Sequence, residues 1–157
     1  MPSCRAVKLL SEIALFDAAS DATPLAALHA ACFALPWDAA AIAALFGTQG
    51  TFAFHHRDGF VMARAAGGEA EILTLAVAPA ARGKGLGRAL LQAAINRAQA
   101  MGAETMFLEV GDDNPRALAL YAGLGFAKVG TRKAYYSALS GSTDAAVLRL
   151  SLPAKFA

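Results

Sequence analysis

A run of nine residues, RGKGLGRAL from Arg82 to Leu90, sets the strongest limit on what this chain can fold into. It holds three glycines and three basic side chains, follows the apolar segment EILTLAV, and leads into a helical pattern. At a helix N-terminus the first amide groups have no acceptor within the helix, and the helix dipole favours negative charge there. Glycines let the backbone come close to a ligand. Arg82, Lys84 and Arg88 add mobile positive charge around the same point. Together these features suit a diphosphate. A glycine-rich helix start with solvated basic residues would look the same from this run alone.

Two nucleotide-binding patterns can be tested directly. No GxxxxGK[ST] phosphate loop occurs in the chain. A dinucleotide GxGxxG fingerprint fails because Leu90 stands where the third glycine belongs.

The chain has 157 residues, 57% of them hydrophobic and 17% charged, which predicts one domain over 1–157 with a full core. Its formal net charge of +2 is too small to argue for nucleic acid. The most apolar stretch, Ala26 to Phe46, is broken by His29, Pro36 and Asp38, so no membrane span is expected. Arg5 and Lys8 precede Glu12 and Asp17, which spoils a signal peptide, and the expectation is a cytoplasmic protein. Cys4 and Cys32 form no CxxC pair and the histidines do not cluster with them, so no metal site is expected. His55 and His56, ahead of RDG, read as a solvated hairpin end.

Residues 1–10 read as a loosely attached extension, and EIALF (Glu12 to Phe16) as a first strand. DATPLAALHAACF has a cap in Asp21 or Thr23, then Pro24, and PWDAAAIAALF has a cap in Asp38. TFAFHHRDGFVMARAAGGEAEILTLAV reads as three strands joined by turns at RDG and GG. A helix follows over Gly85 to Met101, then the strand TMFLEV, then a helix in NPRALALYAGLGF capped by Asn114. AKVGTRKAYY and DAAVLRLSL are the last strands. Hairpins followed by strand–helix–strand crossovers predict an α/β (α+β) fold: a mixed, mostly antiparallel sheet with one parallel central pair, flanked by helices.

The spacing R-x-x-G-x-G at Arg82, Gly85 and Gly87, after LTLAVAPAA, resembles the acetyl-CoA pyrophosphate loop of the GCN5-related N-acetyltransferases. The resemblance covers about Glu12 to Leu152. Four stretches, FALPW, EILTLAVAP…RGKGLGRALL, LEVGDDNPRALALYAGLGF and RKAYY, are similar to the bacterial ribosomal-protein-alanine N-acetyltransferases within it.

This resemblance implies acetyl-CoA as cosubstrate and a protein N-terminus, that of a ribosomal protein, as acceptor. It implies that Leu75, Ala76 and Val77 hold the pantetheine arm. Arg82, Gly83, Lys84, Gly85, Leu86, Gly87 and Arg88 would hold the diphosphate, with Asn114 also at the cofactor. Glu109 would be the general base and Tyr121 the general acid. Leu35, Pro36, Trp37, Tyr135 and Tyr136 would line the peptide groove, and Glu71 is a reserve base or water holder. The chain departs from the family in GDD after LEV, in its alanine-rich first helices, and in His29, which stands where an acidic residue is usual. These departures fall on the acceptor side. A lysine or small-amine acetyltransferase, or a non-catalytic acyl-CoA-binding module, would fit the same fold.

Each site residue also has a plain structural reading. Glu109 could be a solvated strand-end carboxylate, Tyr121 a core aromatic, Asn114 a helix cap and Trp37 a hydrophobic plug. The two classes of amine ask different amounts of work from a base. With a pKa of about 7.7–8.0, roughly a tenth of it is neutral at pH 7, against roughly 0.04% of a lysine near 10.4. A base for such an amine has modest work and can act through water.

Overall fold

The structure, a computed structural model, describes residues 3–133 and 144–153. Its elements in chain order are α1 (Cys4–Glu12), β1 (Ala14–Leu15), α2 (Thr23–Cys32), α3 (Ala39–Leu45), β2 (Thr51–His56), β3 (Gly59–Ala66), β4 (Glu69–Val77), α4 (Leu86–Ala100), β5 (Thr105–Gly111), α5 (Pro115–Gly123), β6 (Ala127–Arg132) and β7 (Ala145–Ser151). A short 3-10 turn, Pro79–Ala81, links β4 to the glycine loop. The strands form one sheet in the order β1-β2-β3-β4-β5-β7-β6. The β4–β5 pair is parallel and the other pairs are antiparallel. This is the expected mixed sheet.

Local sequence accounts for most boundaries. Along α4, Leu86, Leu90, Leu91, Ala94, Ile95 and Ala98 are buried in one stripe at helical spacing, and the chain leaves the helix through Gly102. The Asp38 side chain accepts from the Ala41 amide at 2.8 Å and starts α3. Asn114 accepts from the Ala117 amide at 3.2 Å, and Pro115 fits the first turn of α5. The start of α2 differs from expectation. Its N-cap residue is Ala22, while the Asp21 carboxylate folds back onto the amide and hydroxyl of Thr23 in a local turn.

The N-terminus corrects two further expectations. Where residues 1–10 are described, the chain is helical over Cys4–Glu12, mostly exposed, with Leu9 packed on the core. Because that helix runs to Glu12, the first strand shrinks from Glu12–Phe16 to Ala14–Leu15. The helix end also reaches His56. Its Nε2 lies 2.9 Å from a Glu12 carboxylate oxygen, and its Nδ1 accepts from the Asp58 amide at 3.0 Å. His56 is therefore buried, not at a solvated hairpin end.

The sheet separates two apolar cores. Under α4 and α5 lie Val61, Ala63, Ile72, Leu90, Leu91, Met106 and Leu108. Under α2 and α3 lie Leu25, Ile42, Phe60, Met62 and Ala76. In β4 the alternation breaks at Leu73: Met62 pairs with Thr74 and Ala63 with Ile72, which leaves Leu73 as the extra residue of a bulge. Ile72 faces the first core, and Leu73 and Ala76 face the second. Leu90 is fully buried on the inner face of α4. Replacing Leu90 with Ala should cost about 2–5 kcal/mol of unfolding free energy with an unchanged denaturant slope, as read by urea titration.

Candidate active site

Strands β4 and β5 stay together only from Glu69–Thr105 to Glu71–Phe107. Beyond that point β3 continues to pair with β4 as far as Val77, while β5 keeps only its other partner, β7, with which it pairs from Thr105 to Gly111. From Ile72 to Val77, then, β4 has a ladder partner on one edge only. The gap is a cleft of about 540 Å³ that runs between the two strands. Backbone groups along an open edge like this can take up an extended ligand as an added strand would.

The glycine loop closes one end of the cleft. Gly83 has φ 75° and Gly85, the N-cap of α4, has φ 91°. These values belong to the left-handed region, where a side chain is strained. The amides from Gly83 to Arg88 meet no acceptor among the described residues, and Ala89 is the first to make a helical bond, to the Gly85 carbonyl at 3.1 Å. Arg82 is anchored by a 3.0 Å bond from its Nε to the Val77 carbonyl, which aims the rest of its guanidinium along the loop. Arg88 and Arg116 also line the cleft, with Arg116 lying over Gly83. Unpaired amides, a helix N-terminus and three guanidinium groups that line one cleft suit a diphosphate.

Glu109 and Tyr121 lie on the cleft wall. The Glu109 carboxylate projects from β5, half-exposed, and takes hydrogen bonds from one Arg132 nitrogen at 3.2 and 3.3 Å. Tyr121 comes from α5, is 7% exposed, and rests edge-on against Phe126. Its hydroxyl has no hydrogen-bond partner among the described residues. Burial pushes the phenol up to about 12, so it remains a neutral donor at any physiological pH.

Of the residues singled out in the sequence, Leu75, Val77, Arg82, Gly83, Gly85, Leu86, Gly87, Arg88, Asn114, Glu109 and Tyr121 meet around this one cleft. Asn114 both caps α5 and faces it. Others are not brought to the wall. Ala76 turns its side chain into the core under α2, and Lys84 points to solvent. Glu71 sits on the paired part of β4, 3.6 Å from Arg64, outside the cleft. Leu35, Pro36 and Trp37 lie in the loop between α2 and α3, and Leu35 is largely exposed. Tyr135 and Tyr136 lie outside the described residues.

Sequence reasoning missed Cys32, Phe33, Thr74, Arg116 and Leu120, which also line the cleft. The Cys32 thiol donates to the Val77 carbonyl at 3.3 Å, which gives this cysteine a place in the wall. Arg116 had a signal, two positions after the capping Asn114 on a helix that faces the loop. Thr74 had none, because the bulge at Leu73 that reorients β4 leaves no mark in the pattern. His29 stands behind the wall. It is 3% exposed and stacked between Phe33 and Trp37 at ring separations of 4.2 and 4.7 Å. Its Nδ1 accepts from the Trp37 amide at 3.0 Å, and its Nε2 lies 3.2 Å from the Thr74 hydroxyl.

A family model described as the acetyltransferase (GNAT) family matches residues 14–126. This chain belongs to the GNAT acetyltransferase family. Among curated GNAT relatives, the [ribosomal protein bS18]-alanine N-acetyltransferase of Escherichia coli strain K12 is 39% identical over 84 residues, covering 54% of this chain and 57% of that protein. The N-alpha-acetyltransferase RimI of Mycobacterium tuberculosis is 43% identical over 81 residues, 52% of this chain and 48% of that protein. The chain thus spans about half the length of the curated relatives it matches. The crystal structure of the Escherichia coli ribosomal-protein-S18-alanine N-acetyltransferase superposes with a TM-score of 0.78 at 27% identity, over 92% of this chain and 95% of that one. Among the described residues no group of His, Cys, Asp and Glu could hold a metal ion, and no helix is long and apolar enough to cross a membrane.

Two expected outcomes follow from this geometry. Gly85→Val forces a branched side chain into a left-handed turn and should weaken coenzyme A binding at least tenfold by calorimetry, with a melting shift of only a few degrees. Wild-type affinity in that variant would remove the loop from the site. His29 is held below its usual value of 6.5 by desolvation. The unfolded chain therefore takes up a proton first as pH falls. The stability His29 contributes is complete above about pH 6.5 and is lost as pH drops through the lower folded value. Urea unfolding at pH 7.5 and pH 5 should show this loss in the wild type and a smaller one in His29→Asn.

Proposed function

We propose that this protein transfers an acetyl group from acetyl-CoA to the N-terminal α-amine of a protein, with the alanine of a small-subunit ribosomal protein as acceptor. One observation carries the reading. A row of unpaired amides at the start of α4 opens into a cleft whose wall holds a half-exposed carboxylate and a buried neutral phenol. The names of the relatives support the acceptor.

The residues fit the cosubstrate. The amides of Gly83 to Arg88, with Arg82, Arg88 and Arg116, would hold its diphosphate, and the open edge of β4 around Leu75 to Val77 its pantetheine amides. Bound there, acetyl-CoA supplies an acyl group activated as a thioester. Glu109 accepts the proton that the amine loses as its nitrogen bonds to the acyl carbon, directly or through water. The carbon–sulfur bond breaks, and Tyr121 donates a hydrogen bond to the departing sulfur. A phenol near 12 lies about 3.5 units above a thiol near 8.5, so complete proton transfer would cost about 5 kcal/mol. Tyr121 therefore stabilises the thiolate by hydrogen bonding, and water supplies the proton once the thiolate has left.

Tyr121→Phe should lower kcat by a factor on the order of 10²–10³, the range for losing one donor to a developing anion, while coenzyme A affinity stays within twofold. Thiol release with an Ala-starting peptide, a lysine peptide and a polyamine tests the acceptor. The reading predicts the highest kcat/KM for the Ala-starting peptide. Faster turnover of either other amine would replace the acceptor, and turnover of none would leave a binding module.

A further inference from the structure

The buried imidazole of His29 takes no part in the chemistry above, yet it fixes the direction of a chain of hydrogen bonds that ends in the cleft. The Trp37 amide can only donate, so Nδ1 of His29 must accept. In a neutral imidazole the hydrogen then sits on Nε2. Its partner at 3.2 Å is the Thr74 hydroxyl, which must therefore accept. A hydroxyl that accepts at one lone pair still has its own hydrogen to give. No second partner for it exists among the described residues. Thr74 is nine-tenths buried, lines the cleft, and sits immediately after the bulge where β4 parts from β5. Leaving a donor in such a place unpaired is costly, so a bound acceptor there gains what the free protein forgoes.

We propose that Thr74 donates its hydroxyl hydrogen to a carbonyl oxygen of a bound substrate, with His29 as the positioning residue that turns the hydroxyl toward it. The inference rests on the acetyl-transfer reading of the cleft. Two carbonyls have the required chemistry: that of the acetyl group and the first peptide carbonyl of the acceptor. Water cannot replace His29 in this role, because the ring is stacked between Phe33 and Trp37 and sealed from solvent. The sandwich also ties the loop between α2 and α3, through the Trp37 backbone, to the wall at Thr74.

Thr74→Val keeps the shape of the side chain and removes the hydroxyl. It should lower kcat/KM by about 10–100-fold while calorimetric coenzyme A affinity stays within twofold. Thr74→Ser should restore at least half of the loss on a logarithmic scale. A loss in kcat at constant KM assigns the acetyl carbonyl, and a loss in peptide KM assigns the acceptor carbonyl. His29→Asn keeps an oxygen for the Trp37 amide but cannot reach Thr74, and it should show a smaller loss in the same parameter. The rates are read on whichever amine the wild type turns over, so a wrong acceptor shows in the wild type and a wrong Thr74 only in the variants. If Thr74→Val is unstable because it strands the Nε2 hydrogen, the double variant with His29→Asn removes that hydrogen and carries the same measurement. Turnover by Thr74→Val within twofold of wild type, or Thr74→Ser as slow as a folded Thr74→Val, would overturn the proposal.

Discussion

The parting of β4 from β5 after Glu71 is the constraint on which the rest of the site depends. A sheet gains from pairing every strand edge, and leaving one open in the middle forgoes hydrogen bonds along its whole length. Here β3 holds the other edge of β4 to Val77, through a bulge at Leu73, so the strand stays paired on that side beyond the gap. The bulge at Leu73 then reverses which side chains meet which core. Thr74 comes to lie against His29, while Leu75 and Val77 face α4 and α5. The glycine loop, the carboxylate and the phenol all take their positions from that gap.

The cleft joins two kinds of polar group. At the loop, backbone donors and guanidinium groups line one end of the cleft, so a doubly charged ligand would be held there without much ordering of side chains. At the far end the groups are few. Tyr121 is kept neutral by burial, Glu109 is met by Arg132, and the His29 tautomer follows from the Trp37 amide. Charge is gathered where the ligand is anionic and thinned where the acyl group would react.

Much of this was legible from residue order. Hydrophobic spacing located α4 and β4, and the left-handed glycines at 83 and 85 lie in the run that drew attention first. The resemblance to the family led to Glu109 and Tyr121. What could not be read has particular causes. The helix Cys4–Glu12 owes its place to Leu9 packing and to the Glu12–His56 contact, both of which join residues far apart in the chain. Glu71 reads like Glu109, a carboxylate in an apolar strand, but it sits where β4 and β5 are still paired and so faces away from the opening. The role of Thr74 depends on a bulge and on a histidine contributed by another element, and neither has a local signature.

An unpaired strand edge is ordinarily a risk, since it invites a foreign strand to add to the sheet and seed aggregation. In this fold the open edge is interior, with Cys32 and Phe33 at the end of α2 on one side and α5 residues Ala117 and Leu120 on the other. A second protein's β-strand, with neighbours of its own, is too wide to enter between these walls. A single slender chain is not. The gap therefore filters by girth, and the lost pairing becomes a vacancy open to a thin ligand and closed to another sheet.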